Sequence, residues 1–458
     1  MEREVQSSPT SSRKSSRREF VALGGKAAAG AAMASMAVPP VHAAEDNTIR
    51  LAQIGCGPRG NGAVGNALSV PNSGPVKLFA MADVFEDRVA RSHKALSKEF
   101  PEQVDVPPER QFVGFDAYRK AIDCLRPGDV ALLTTRAYPR PTHLDYAVEK
   151  GVNVFMEKSF APDPGGLKRM IRAGERAEKK NLKIAAGVMC RHSVARQALI
   201  RKIRDGELGE IHLIRAARMG GGGTLPPRKP DDKELLYQVG AGKIHLLWSS
   251  SGLMIELLIH QIDECCWLKD AWPVSAHGLG GCVPHSGDCG QNHHAYSMEY
   301  TFADGSTALV SNRNVPKCYN DFATYVHGTQ RAAQFSGNIH APTVHTYKDQ
   351  RTAKENIDWV ADDEPCTPWQ AEWNVLIDAI RNDRPHNETR RACLANLVAV
   401  MGRAAVHSGQ VITWDQMLAS DFLFCDYVDD LDYDSPAPVQ PDADGRYPAP
   451  IPGEWSEI

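Results

Sequence analysis

Six residues, Gly55-Cys56-Gly57-Pro58-Arg59-Gly60, follow directly on the mostly apolar run Ile49 to Ile54. That order constrains the chain more than any other feature. At the end of a first parallel strand, Gly55 permits a tight turn, Gly57 lets backbone approach a pyrophosphate, and Gly60 lets the next helix pack closely on the sheet. Such a helix presents unpaired N–H groups and the positive end of its dipole to phosphates. A chain with 37 glycines also produces this spacing by chance, so the context carries the weight. A second strand, Val76 to Ala82, follows the turn Pro71-Asn72-Ser73-Gly74-Pro75 and ends in Asp83, about twenty residues past the loop. Asp83 is placed to accept from the adenosine ribose hydroxyls and to repel a 2′-phosphate. NAD is therefore favoured over NADP unless Arg88 or Arg59 offsets that charge.

From residue 49 strand-like and helix-like segments alternate, which predicts an α/β fold with a parallel sheet covered on both faces. Asp129 to Thr135 is almost continuously apolar, as a central strand buried on both faces must be, and Thr134 near its end is assigned to the cofactor site. Val152 to Met156 is a fifth strand, ending in Glu157-Lys158-Ser159, and Leu182 to Val188 a sixth. Beyond residue 190 the strands lengthen and alternate, at Glu210–Met219, Ala295–Phe302 and Thr307–Arg313, predicting a large, mostly antiparallel open sheet in an α+β domain. Late helices start at Thr367-Pro368 and run from Glu388 to Ser408. The expected domains are a Rossmann unit over 45–185, an α+β unit over 186–428, and an extended C-terminal arm over 429–458.

Residues 1–44 read as a leader: the Arg13-Lys14…Arg17-Arg18 segment resembles a twin-arginine signal, with an Ala/Gly-rich stretch and a small-residue cleavage site near Val41-His42-Ala43. The implied partner is the twin-arginine export machinery, and the implied location periplasmic or otherwise exported. No later run is long and apolar enough for a membrane span in the mature form. A net charge of −4 with interspersed signs argues against nucleic acid. Eleven cysteines without a repeating CxxC spacing are compatible with one or two disulfides that the fold does not need.

In Gly252 to Asp263, Glu256 and His260 are four apart on one helical face, which Asp263 extends. Met, Leu and Ile between them make the helix mostly buried, so these charges need partners or a cleft. Together the glycine loop, the Glu157-Lys158 pair and this segment resemble the glucose–fructose oxidoreductase / inositol dehydrogenase / MocA family. Asn387-Glu388-Thr389-Arg390 and the Trp414 segment look like an exported bacterial branch. The resemblance implies that Lys158 lies beside the nicotinamide and that His260 is the acid/base. Two positions depart from the family pattern: Glu256 stands where Asp is usual and Ser159 where Pro is usual. It also implies homo-oligomers formed through the open face of the second sheet.

In that reading His260 takes the proton of an alcohol while Glu256 orients it and Lys158 stabilises charge on the oxygen. The cofactor site comprises Gly55, Gly57, Arg59, Gly60, Asp83, Thr134, Glu157 and Lys158. His143 either touches the ribose or caps its helix. Arg191 either contacts cofactor or substrate or forms a hinge ion pair. Arg191, Asp263 and His293 are the substrate-side candidates. Cys282, His285, Asp288, Cys289, His293 and His294 crowd one stretch, and two Cys with two His in loop reach can hold zinc. Their spacing matches no known knuckle, so the stretch is read as a cleft-lining loop and no metal is expected. The expected function is NAD-dependent hydride transfer to or from a secondary alcohol of a sugar, polyol or related carbohydrate, with NAD tightly bound. The alternatives are an NAD-assisted glycosidase or lyase and a non-catalytic sugar-binding protein.

Overall fold

The computed structural model describes residues 47–283, 286–337 and 343–458. The leader read at 1–44 lies outside the described residues, as does His285. Strands β1 (Ile49–Ile54), β2 (Val76–Asp83), β3 (Gln111–Val113), β4 (Val130–Leu133), β5 (Asn153–Met156) and β6 (Ile184–Ala186) form one sheet in the order β3-β2-β1-β4-β5-β6, all parallel. Alternate residues of these strands feed two cores. Leu51, Leu78, Val130, Leu132 and Phe155 pack on one side, and Ala52, Ala80, Ala131, Leu133 and Met156 on the other. Burial on both faces is what the near-continuous apolar runs require.

The crossover helices are α1 (Pro58–Leu68), α2 (Glu86–Glu99), α3 (Ala117–Asp123), α4 (Arg140–Lys150) and α5 (Pro164–Lys179). Gly151, at φ +74°, ends α4 in the left-handed conformation that glycine adopts at little cost. β4 is confined to the inner four residues of the run 129–135.

After α6 (Val194–Arg204) comes a nine-stranded sheet, in the order β14-β13-β12-β11-β7-β10-β9-β8-β15. Its strands are β7 (Ile211–Gly220), β8 (Ser275–Gly281), β9 (Ala295–Thr301), β10 (Thr307–Asn314), β11 (Phe322–Gly328), β12 (Ala332–Ser336), β13 (His345–Tyr347), β14 (Ile357–Val360) and β15 (Ile412–Thr413). Every pairing is antiparallel except β7 with β10. The register sets Val326, Ile214, Ala308, Tyr300 and Ala276 in one cross-sheet row, all buried. The neighbouring row, Tyr325, Arg215, Leu309, Glu299 and His277, points the other way, and Leu309 is 37% exposed. One face is thus covered and the other open, as alternation predicts.

Between β7 and β8 run α7 (Glu234–Val239), α8 (Leu247–Ser250) and the long α9 (Gly252–Lys269). Gly280-Gly281 ends β8, directly before the stretch from Cys282 read from sequence as a cleft-lining loop. α10 (Pro368–Arg381) is capped by Thr367 as expected, yet it packs back on the parallel sheet, where Trp373 stacks on Phe155 at 4.4 Å. α11 (Thr389–Ser408) contacts α5, α9 and β8 and so lies between the two sheets, and α12 (Trp414–Ala419) follows. The C-terminal segment lies along this body: Glu457 is buried, 2.7 Å from Arg403 and 3.3 Å from His407 on α11. All eleven cysteines are unpaired, so the disulfides held compatible with the sequence are not formed. No helix among the described residues is long and apolar enough to cross a membrane.

Candidate active site

A cleft of about 620 Å³ opens at the carboxyl ends of β1, β2, β4 and β5, where ligands bind in open parallel sheets. The glycine loop forms one end, and each glycine occupies its place for a different reason. Gly55 has φ +102°, and a Cβ there would meet the Thr134 carbonyl carbon and the Thr135 amide, each at 2.6 Å. A Cβ on Gly60 would sit 2.4 Å from the Gly55 carbonyl oxygen, so this glycine sets how closely α1 approaches the loop. A Cβ on Gly57 would meet nothing within 4 Å, because that side faces the open cleft. Gly57 is also the N-cap of α1 and supplies no side-chain cap to the first-turn amides.

Side chains hold the loop from behind. Thr134 Oγ1 donates to the Gly55 carbonyl at 2.7 Å. Asp83 accepts from the Cys56 amide at 2.8 Å through Oδ2 and from the Phe85 amide at 3.0 Å through Oδ1. Arg88 lies 3.8 Å from Asp83 and over the Phe85 ring. Arg59, considered from sequence as a phosphate partner, pairs with Glu157 at 2.5 Å and Glu372 at 3.4 Å. Burial and the neighbouring Glu157 hold the Glu372 carboxyl well above the usual carboxylate range.

At the other end Lys158 Nζ donates to Glu256 Oε2 at 3.0 Å and to the Glu256 carbonyl at 2.8 Å. Arg136 Nη1 donates to Glu256 Oε1 at 3.1 Å. Burial opposes the charged form of Glu256, but Lys158 and Arg136 outweigh it and hold the carboxyl below its ordinary value. The Lys158–Ser159 peptide bond is cis. Neither Arg136 nor Lys243 was singled out from sequence, and both line the cleft. Burial, with Arg136 and Arg88 nearby, pushes Lys243 down to about 8. Arg136 had a readable signal, since it lies just past the end of a central strand. Lys243, in a short turn before α8, had none.

The remaining candidates lie outside the cleft lining. His260, one turn beyond Glu256 on α9, is 3% exposed. Asp263 is bonded through both oxygens to Arg191 at 2.8 and 2.9 Å, with Arg391 at 3.5 Å, so these two substrate-side candidates are brought to each other. His143 is stacked on Tyr118 at 4.2 Å, and burial followed by Arg140 pushes it down to about 3. His293 Nε2 is 3.0 Å from the Pro450 carbonyl, under the C-terminal segment.

The lining residues include six cations (Arg59, Arg88, Arg91, Arg136, Lys158 and Lys243) against three carboxylates (Asp83, Glu157 and Glu256), a balance suited to an anionic ligand. The open face at Gly57 and the uncapped helix start fit a dinucleotide pyrophosphate.

No family model and no curated protein matches the chain. Solved structures do. The myo-inositol 2-dehydrogenase of Lactobacillus plantarum has 16% identity and a TM-score of 0.58, covering 80% of this chain and 99% of that one. For the aldose-aldose oxidoreductase of Caulobacter crescentus the values are 16%, 0.59, 80% and 99%. For the UDP-N-acetylglucosamine 3-dehydrogenase of Acidithiobacillus ferrooxidans they are 18%, 0.56, 78% and 98%. The chain shares their fold: a Rossmann-like parallel sheet followed by a mostly antiparallel sheet.

Proposed function

We propose that the protein is an NAD-dependent oxidoreductase acting on a secondary alcohol of a sugar, polyol or related carbohydrate. One observation carries the reading: the glycine loop and the Lys158–Glu256–Arg136 cluster face each other across a single cleft. The nicotinamide supplies the acceptor or donor of the hydride. Everything else is asked of the chain. The loop amides and the start of α1 hold the pyrophosphate, and Asp83 favours ribose hydroxyls over a 2′-phosphate. A lysine ammonium has three N–H groups, and Glu256 takes two, so Lys158 keeps one donor for the reacting oxygen. Glu256 fixes that ammonium in place. His260, one turn further along α9 and outside the cleft lining, is the candidate for the hydroxyl proton, a part that requires the substrate to reach past Glu256. The solved enzymes sharing this fold support the substrate class.

The leader supports export of the folded protein with its cofactor aboard, and the exposed Leu279 and Leu309 on the open sheet face support a homo-oligomer formed there. The deciding experiment titrates the purified full chain with NADH and NADPH by fluorescence, then screens carbohydrates for reduced-nicotinamide absorbance. Tight NAD binding with net reduction on a sugar or polyol is expected. Absence of any nucleotide binding overturns the reading. Cofactor-dependent glycoside cleavage without net reduction replaces it with the redox-assisted lyase.

A further inference from the structure

Beyond the cleft, the loop joining β8 to β9 gathers three soft ligand atoms. Cys282 Sγ, Cys289 Sγ and His294 Nδ1 all lie within 4.8 Å of one another, with Cys289 and His294 buried and Cys282 exposed. The sheet brings them together: Gly281 and Ala295 are register partners, and the His294 amide donates to the Gly281 carbonyl at 3.0 Å, which sets Cys282 and His294 side by side. Asn292 fixes the loop that returns Cys289 to this pair. Its Oδ1 accepts from the Leu253 amide at 2.7 Å, and its Nδ2 donates to the Ile244 and Cys289 carbonyls at 3.1 Å each.

We propose that Cys282, Cys289 and His294 bind a single zinc ion whose fourth position is open to solvent beside Cys282. Tetrahedral zinc, with bonds of about 2.3 Å to sulfur and about 2.05 Å to nitrogen, sets S and N ligands about 3.6 Å apart and two sulfurs about 3.8 Å apart. Cys289 Sγ and His294 Nδ1 stand 3.6 Å apart. The imidazole already has the required tautomer, because the Val283 amide donates to Nδ1 at 3.1 Å and the ring proton therefore sits on Nε2. Zinc takes that lone pair and releases the amide. The two thiols, which now donate to the Asn292 carbonyl at 2.8 and 3.7 Å, turn to the metal, and each releases a proton to solvent. Two thiolates and an imidazole select zinc over the hard oxygen-seeking cations. Cys318 and the other cysteines contribute nothing to this cluster. The consequence is mechanical. Through Asn292 and Leu253 the metal anchors the start of α9, three residues before Glu256, and so stiffens one wall of the cleft.

The test uses full-length protein purified with reductant and without chelator, followed by metal analysis and cobalt(II) exchange. A single zinc per chain is expected, with thiolate-to-cobalt charge-transfer bands and intense tetrahedral visible bands in the exchanged protein. Cys282→Ser and His294→Gln weaken zinc binding by about a hundredfold or more in competition with a chromophoric chelator, with unchanged far-UV circular dichroism. Cys318→Ser, at an exposed cysteine elsewhere, binds as the parent does. Because Cys282 is exposed, its variant remains informative if the buried-site variants fail to fold. Zinc uptake that fails on titration, zinc binding indifferent to both substitutions, or a Cys282–Cys289 disulfide in the isolated protein overturns the proposal.

Discussion

The two ends of the cleft are built on opposite principles. At the glycine end the geometry is set by what cannot fit: Cβ positions at Gly55 and Gly60 are filled by backbone, and only the Gly57 side is left open. At the far end it is set by attraction, with Glu256 held between Lys158 and Arg136. Steric exclusion is insensitive to pH and salt, whereas an ion-pair cluster titrates and screens. Binding at one end and proton chemistry at the other therefore separate under perturbation.

Lys158→Ala is expected to have the largest effect, lowering turnover by about a thousandfold while nucleotide binding, read by NADH fluorescence, stays near that of the parent. Equal loss of both would show that the ends are not separable. Next, Gly55→Ala costs about 3 kcal/mol of stability or more, because a left-handed backbone and two 2.6 Å backbone contacts cannot both relax. A thermal melt reads it, and an unshifted midpoint contradicts the steric account. Glu256→Gln leaves two cations facing a neutral amide and costs about 1.5–3 kcal/mol. Its pH signature is directional. Since the folded carboxyl is held low, its contribution is complete above the ordinary carboxylate value of about 4.5 and fades as pH falls through the lowered value. The variant should show a flatter acid limb in chemical denaturation, and a limb as steep as the parent's would remove Glu256 from the account. The smallest structural effect belongs to Gly57→Ala. Its melting point should match the parent's, while NAD affinity drops about tenfold because the methyl occupies the pyrophosphate side.

The same contrast explains what was legible in the sequence. Gly55, Gly57, Asp83 and the doubly buried strands act through local backbone chemistry, so their places at the strand ends could be read from order and spacing, while the hydrogen bonds of Asp83 to the Cys56 and Phe85 amides could not. Short strands such as β13 and β14 carry too few residues to show alternation, and they exist because their neighbours in the nine-stranded sheet supply the pairing. Ion-pair partners were the least legible. Arg191 and Asp263 are 72 residues apart, Lys158 and Glu256 98, and nothing local in either segment names its partner. His143, at the start of a helix, reads equally as a ribose contact or a helix cap, and the Tyr118 ring that the fold sets against it is not named by anything local in the sequence.

The pairing of Arg403 with Glu457 has a consequence in time. The guanidinium, wholly buried on α11, also donates to the Ser251 and Pro162 carbonyls, and both of those precede it in the chain. Its ion-pair partner among the described residues, Glu457, comes 54 residues later. At ribosomal speeds of about 5–20 residues per second, Arg403 waits roughly 3–11 s for this ion-pair partner. Until then, closing the space between the two sheets would bury an uncompensated cation, so during synthesis that closure falls among the last events of folding.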